Sequence, residues 1–387
     1  MRICLVSETW SPEINGVAHT LTQLSRELQR RGTELQLIRP QPADANAPPS
    51  TPGMQAELRI PGIAVPGYRA VRFGLPATGR IQRLWQAQRP DVVYLATQGP
   101  LGWSARRAAQ RLGIPLVAGW HTNFDHYCGD YGVAWLAPTL RRVLRRFHNG
   151  CQLTLVPTRQ QAQTLSGQGF HGLRVMGRGI EHSRFSPDLR CAELRRSWGA
   201  SEHSPVALHV GRLAAEKNLS LLRDTFRAMR SVRPDMVQVI VGDGPARRTL
   251  EKALPEAHFT GFISAEELAR HYASADLFLF PSLSETWGNV VPEAMASGLA
   301  VVAYHHAAAA ELIDSGTHGV TVPAGDGEAF REAAVALCQQ PARYARMGRN
   351  ACLRTQQCRW PAIADTFLAT LEQAREVKDA STRICGI

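Results

Sequence analysis

Ala275-Asp-Leu-Phe-Leu-Phe-Pro-Ser-Leu-Ser-Glu-Thr-Trp-Gly-Asn-Val-Val-Pro-Glu-Ala-Met-Ala-Ser-Gly298 reads as strand, loop and helix in succession. The apolar stretch Ala275 to Phe280 is a buried strand, and Val290 to Ala296 is a helix with Pro292 in its first turn and Gly298 just past its end. Glu285 then stands on the strand-to-helix loop and Glu293 on the first helical turn, so both carboxylates can face one pocket. At the floor of that pocket, the N–H groups near Asn289 and Val290 have no intrahelical acceptor and suit an anion. Carboxylates grip hydroxyls and a helix start grips phosphate, so the pair suits a sugar linked to a phosphate. Alone, the same residues read more simply as a solvated loop acid and an acid that favours the helix dipole.

Outward from this unit the alternation continues on its N-terminal side. Toward the N-terminus, Val206–Val210, Gln238–Val241 and His258–Thr260 read as strands, with helices at Leu219–Arg230 and Ala265–Ala273 between them. An earlier series holds strands at Ile3–Ser7, Glu34–Arg39, Val92–Ala96, Pro115–Trp120 and Leu153–Pro157, with helices at Val17–Arg31, Trp103–Leu112 and Thr139–His148. Such alternation specifies parallel sheets wrapped by helices, and two series imply two doubly wound Rossmann-like domains facing a central cleft. The boundaries are expected at 1–187, 188–358 and 359–387, the last a helix from Trp360 packing back across the domain junction. Prolines interrupt every window of residues 41–55, so the stretch is read as a mobile loop, and mobility is expected through residue 80.

A chain of 387 residues, 44% hydrophobic, exceeds the size of a single growing core. No apolar run approaches the length a spanning helix needs, and the start Met1-Arg-Ile-Cys-Leu-Val-Ser-Glu8 has no signal-peptide pattern, so a cytoplasmic protein is expected. Eight scattered cysteines with no C-x-x-C pair read as free thiols. The formal charge of +11 and pI near 9.7 call for an acidic partner: nucleic acid, anionic lipid or a phosphorylated substrate. No nucleic-acid-binding signature accompanies the charge, so no nucleic-acid partner is expected. In Leu140-Arg-Arg-Val-Leu-Arg-Arg-Phe147, the cations Arg141, Arg142, Arg145 and Arg146 fall on one side of a helix and Leu140, Val143, Leu144 and Phe147 on the other. That pattern fits a helix on an anionic membrane, or an ordinary surface helix.

Arg212 leaves one strand end and Lys217 precedes a helix that Asn218 is placed to cap. Together the two cations can hold a diphosphate, Arg by its fork and Lys as a point charge. No Asp-x-Asp occurs, so the usual short motif for a metal-bound diphosphate is missing and neither metal nor cofactor is expected. His121 ends the strand Pro115–Trp120, where a neutral imidazole can donate to a sugar hydroxyl. Gly16, in the first strand-to-helix turn, lets backbone N–H groups approach a phosphate. A Rossmann dinucleotide is disfavoured, because Gly242-Asp-Gly244 has Arg247 where the third glycine belongs.

In this order and spacing, Asn15-Gly16-Val17, His121, Gly211-Arg212 with Glu216-Lys217, Gly242-Asp-Gly-Pro245, Phe259-Thr-Gly-Phe262 and Ser284-Glu-Thr-Trp-Gly-Asn-Val-Val-Pro-Glu293 resemble the family 4 retaining glycosyltransferases of the two-domain GT-B fold. The resemblance implies that Glu285 holds the donor hexose and Glu293 the ribose. It implies that Arg212 and Lys217 bind the diphosphate with backbone at Gly16, Asn289 and Val290, that His121 touches the sugar, and that backbone at Phe262 and Ile263 meets the base. Members usually carry two glycines where this chain has Asn15-Gly16. The segments His121-Thr-Asn-Phe-Asp-His-Tyr127 and Arg145-Arg-Phe-His-Asn149 look like those of mannosyl, diacylglycerol and sulfolipid-type enzymes. The implied reaction transfers a hexose from GDP-mannose or a UDP-hexose to a membrane lipid at the inner face of the cytoplasmic membrane. The alternatives are polysaccharide assembly on a polyprenyl carrier and a non-catalytic basic binding protein.

Overall fold

The computed structural model describes residues 1–11, 13, 15–42, 51–65, 68–121 and 137–384. The chain divides into two compact units, Met1–Gly179 with Trp360–Ile387, and Ile180–Arg359. The first boundary therefore falls at Gly179/Ile180, ahead of the expected 187/188, because Ile180 and Phe185 already pack into the second unit's core. The second falls at Arg359/Trp360, where 358/359 was expected.

Unit 1 runs β1 (Arg2–Val6), α1 (Gly16–Arg30), β2 (Glu34–Pro40), β3 (Ala56–Ile60), β4 (Gly62–Val65), β5 (Tyr68–Gly74), α2 (Thr78–Ala87), β6 (Val92–Leu95), α3 (Pro100–Leu112), β7 (Leu116–Gly119), α4 (Ala137–His148), β8 (Leu153–Val156), α5 (Arg159–Gly167) and β9 (Leu173–Val175). Unit 2 runs α6 (Ala192–Ser197), β10 (Val206–Val210), α7 (Leu219–Val232), β11 (Val237–Val241), α8 (Arg247–Ala253), β12 (His258–Gly261), α9 (Ala265–Ser274), β13 (Leu277–Phe280), α10 (Val290–Ala296), β14 (Ala300–Tyr304), α11 (Ala307–Leu312), β15 (Gly319–Val322), α12 (Gly327–Cys338) and α13 (Pro341–Thr355). Helix α14 (Trp360–Ile384) returns to unit 1.

Each unit is built on a parallel sheet, ordered β3-β2-β1-β6-β7-β8-β9 in unit 1 and β12-β11-β10-β13-β14-β15 in unit 2. Both orders reverse beside the first strand, and ligands of such sheets bind beyond the strand ends at that reversal. Strands β6, β7, β13 and β14 are continuously apolar because helices cover both faces. In β13, Phe278 and Phe280 enter one core while Leu277 and Leu279 enter the other. Ile3 and Leu5 of β1 likewise face one side and Cys4 and Val6 the opposite.

Residues 56–65 and 68–80 depart from the expected mobility: they hold β3, the antiparallel pair β4 and β5, and the start of α2. Polar side chains disguise β3. The Glu57 side chain is buried between Arg39 of β2 at 2.7 Å and Arg59 of β3 at 2.9 Å, so the charges of the edge strand are paired. The expected 41–55 loop lies mostly outside the described residues. Strands β14 and β15 and helices α11 to α13 have no counterpart in the sequence reading. Helix α14 buries Ala364, Phe367, Leu371 and Ala374 in the same core as α1 and β6, with the Phe367 ring 4.9 Å edge-on to Tyr94.

Candidate active site

Two strand ends at the reversal of the unit 2 sheet deliver its site. After β10 the chain turns through Gly211-Arg-Leu213 onto Gly242-Asp-Gly244 at the end of β11. Leu213 N–H donates to Asp243 O at 2.9 Å and Ala246 N–H to Leu213 O at 2.9 Å. The two glycines are required here. A Cβ on Gly242, whose φ is 132°, would lie 2.0 Å from Gly211 O, and one on Gly244 would lie 2.4 Å from Leu213 O. Arg247, which spoiled a dinucleotide fingerprint, pairs with Asp243 at 2.9 Å and Glu251 at 2.7 Å.

This loop presents Arg212, whose Nε donates to Glu216 Oε1 at 3.0 Å. A short 3-10 turn, Ala215–Lys217, follows. Asn218 joins it to α7 through a left-handed backbone, φ 52°, and its side chain makes no capping bond, contrary to the expectation of a side-chain cap. The turn aims Lys217 at the loop after β13. There Lys217 Nζ donates to Glu285 Oε1, which also accepts from Ser282 Oγ at 2.9 Å. The ammonium lies 5.7 Å from the centre of the Phe280 ring. His306 Nε2 donates to Ser282 O at 2.6 Å and braces the loop from the far side. Glu285 Oε2 has no partner among the described residues, which leaves one oxygen for a hydroxyl.

Glu293 repeats that design on α10. Its Oε2 accepts from the Tyr272 hydroxyl at 3.1 Å while Oε1 has no described partner. Burial pushes its carboxyl up to about 7, against the pull of the Tyr272 hydroxyl and of Arg184. Asn289 precedes α10 and makes no side-chain cap, so the first-turn donors at Asn289 and Val290 are not covered by it. Phe262, between β12 and α9, is 82% exposed, whereas Ile263 packs on the core.

The two candidates of unit 1 are joined by a residue that the sequence reading overlooks. Arg178 is buried, and its guanidinium donates to Gly16 O at 3.1 Å, Thr20 Oγ1 at 2.7 Å and His121 Nδ1 at 3.2 Å. Arginine only donates, so Nδ1 is the unprotonated nitrogen and Nε2 carries the hydrogen. That nitrogen lies 2.8 Å from Tyr94 Oη. Both ring nitrogens are therefore occupied, and the free sugar-donating imidazole expected from the sequence is absent in this state. Burial, then Arg178 and His148, hold His121 down at about 3, so it stays neutral. Burial also lowers Arg178 to about 10. The one signal available was Gly177-Arg178-Gly179 after a short strand, an arginine flanked by residues without side chains.

At the start of α1, Asn15 Oδ1 accepts from Val17 N–H at 3.1 Å and Ala18 N–H at 2.9 Å. Asn15 thus occupies donors that the sequence reading offered to a phosphate near Gly16. On α4, Leu144 and Phe147 are buried and Arg142, Arg145 and Arg146 exposed as expected, with Arg141 half-buried. Val143, expected on the apolar side, is 43% exposed. The acceptor-side run 122–127 lies outside the described residues.

Residues 204–340 match the family described as "Glycosyl transferases group 1", and residues 14–184 match "Glycosyltransferase Family 4". The chain is 34% identical over 378 residues to a GDP-mannose-dependent alpha-mannosyltransferase of Mycobacterium tuberculosis, covering 97% of each chain. It is 26% identical to an alpha-monoglucosyldiacylglycerol synthase of Streptococcus pneumoniae, covering 79% of this chain and 71% of that one. Its fold is similar to that of sucrose-phosphate synthase from Thermosynechococcus elongatus, with a TM-score of 0.74, 21% identity and coverage of 96% and 98%. Paired carboxylates and cations at two strand ends, in a chain matched by both family models and by a mannosyltransferase over 97% of its length, make this protein a member of glycosyltransferase family 4, a retaining hexosyltransferase of GT-B fold that uses a nucleotide-sugar donor.

Proposed function

We propose that the enzyme moves mannose from GDP-mannose to a hydroxyl of a membrane glycerolipid of the diacylglycerol type, without a metal. The observation that carries the reading is the Lys217–Glu285–Ser282 arrangement beside Arg212. It sets a cation for the diphosphate next to a carboxylate with one open oxygen for the hexose. Arg212 and Lys217 stabilise the departing diphosphate as a metal would otherwise do. Glu285 Oε2 orients the hexose, Glu293 Oε1 takes the ribose, the backbone at Phe262 and Ile263 meets the base, and Asn289 and Val290 N–H meet the phosphates. The acceptor attacks from the face the diphosphate leaves, and the leaving phosphate takes its proton. Neutral His121, held by Tyr94 and Arg178, lines the sugar without exchanging a proton.

GDP-mannose is favoured over UDP-hexoses by the likeness to the mycobacterial mannosyltransferase, and a lipid acceptor by the likeness to the diacylglycerol enzyme. No helix among the described residues is long and apolar enough to cross a membrane. The enzyme acts as a peripheral protein, with Arg141, Arg142 and Arg145 of α4 toward anionic headgroups on the cytoplasmic face. A thermal-shift series with GDP-mannose, UDP-glucose, UDP-galactose and UDP-glucuronate tests the donor. GDP-mannose is expected to raise the melting temperature most, and a larger rise with a uridine nucleotide would overturn the choice. Transfer of labelled mannose to diacylglycerol vesicles in excess EDTA tests acceptor and metal independence together. Label appearing only in water-soluble polysaccharide would reject the lipid.

A further inference from the structure

Unit 1 contains a cavity of about 830 Å³ that the donor chemistry leaves unused, between the start of α2, the outer face of α3 and the end of α4. Arg106 and Arg107 come from α3 and Arg146 from α4, with Trp103, Pro76 and Thr78 around them, and no carboxylate among the described residues lines the cavity. Several arginines elsewhere pair with a carboxylate: Arg39 with Glu57, Arg195 with Asp276, Arg247 with Asp243. None of the three cavity arginines meets a carboxylate or a hydrogen-bond acceptor among the described residues. Glu8, which touches Gly99 at the edge, spends its two oxygens on the N–H groups of Gly74 and Leu101.

Arg106 is fixed in place although it lacks an anion. Its guanidinium lies 5.0 Å from the centre of the Trp103 ring, and its Nε is buried without a partner. It passes over Gly150, where a Cβ would fall 1.6 Å from Nη2. Burial lowers its pKa, and nearby Arg146 adds to that as a like charge. Three cations around one recess repel one another, and a bound dianion reverses the sign of that interaction. Guanidinium forks match the oxygens of a phosphate, and arginine stacked on an indole arrives with its orientation set. The recess is far larger than a phosphate group, so its proline and tryptophan walls leave room for an organic part.

We propose that this cavity binds a phosphate-bearing ligand at a site separate from the donor site of unit 2. The phosphate sits on Arg106, Arg107 and Arg146, and the organic part lies against Pro76, Pro100 and Trp103. The phosphate is that of a lipid headgroup or of a soluble organic phosphate.

The test uses the full chain carrying Arg212→Gln and Lys217→Gln, so that the donor site no longer takes phosphate. Calorimetric titration with glycerol 3-phosphate is expected to show one saturable site. Adding Arg107→Gln, an exposed helical position whose loss leaves packing intact, weakens that binding at least tenfold. Adding Arg142→Gln, which removes the same charge from α4 outside the cavity, does not. Absence of a saturable site, or equal binding after Arg107→Gln, would overturn the proposal. Repeating the titration with phosphatidylglycerol vesicles separates the sources. For a headgroup site, vesicles block glycerol 3-phosphate and Arg107→Gln weakens flotation more than Arg142→Gln. For a soluble ligand, the titration is the same with and without vesicles.

Discussion

Lys217 and Glu285, 68 residues apart, form one largely buried ion pair that ties the end of β10 to the end of β13. In the proposed function, Glu285 is thereby orientated before any sugar arrives, and the Lys217 ammonium retains hydrogens for a diphosphate. Removing either partner leaves the other charge uncompensated, at a cost of about 1–3 kcal/mol for a pair not wholly withdrawn from water. Lys217→Gln and Glu285→Gln are each expected to lower kcat/KM about 100-fold or more. Lys217→Met with Glu285→Leu should regain most of the lost melting temperature and none of the activity. Turnover unchanged by Glu285→Gln would show that this carboxylate does not hold the sugar.

His121 is expected to stay neutral throughout the working pH range. A folded pKa of about 3 lies below the usual histidine value, so the unfolded chain binds more protons between those values. The contribution of His121 to stability is therefore complete above pH 6.5 and falls as the pH drops toward 3. Its ring NMR resonances should not move between pH 5 and pH 8. In Arg178→Met they should titrate at higher pH than in the wild type, since a neighbouring cation is gone. That variant also removes the guanidinium's bonds to Gly16 O and Thr20 Oγ1, which keep their mutual hydrogen bond, at about 0.5–1.5 kcal/mol for each bond lost.

Glu293 has the opposite sign. Its folded carboxyl, pushed up to about 7, keeps a proton that the unfolded chain releases near 4.5, so its effect on stability becomes more unfavourable as pH rises through that window. The melting temperature of Glu293→Gln relative to wild type should climb between pH 4.5 and pH 7 and level off above. A difference that is flat across the window would place the group in water. If Glu293 holds the ribose, the same variant raises the KM for the nucleotide sugar with a smaller change in kcat.

Gly242→Ala tests how the Arg212 loop is seated. The new methyl group would overlap Gly211 O on a backbone that side chains rarely adopt, with strain on the order of 1–3 kcal/mol before the clash is relieved. The loop must shift, so KM for the donor is expected to rise severalfold along with the loss of stability. Gly199→Ala is the control: its φ is 72°, with open space around the added carbon, so it should lower stability alone.

The parts legible in the sequence were those in which one physical requirement wrote one pattern. Strands covered on both faces must be apolar throughout, and Leu277–Phe280 is so because its side chains feed two cores. The cations and carboxylates of unit 2 sit at strand ends, where loop residues need no periodicity and stand out. Strand β3 was hidden because Glu57 satisfies its charge against Arg39 and Arg59, which only the fold reveals. Arg178 was hidden for a related reason: nothing local distinguishes an arginine that will be buried from one that will be solvated. The occupancy of both His121 nitrogens depends on Tyr94 and Arg178, 27 and 57 residues away.

Helix α14 gives the order of synthesis a role in assembling the site. Residues 180–359 are contiguous and hold a complete sheet with both of its helical layers, so they can fold while the chain is still being made. The first unit has no such freedom. Its core lacks Phe367, Leu371 and Ala374 until the segment after Arg359 has been made, and Phe367 is the ring against which Tyr94, the partner of His121, is packed. The second unit is thus ready first, and the histidine pocket is set only once residues 360–374 have been made.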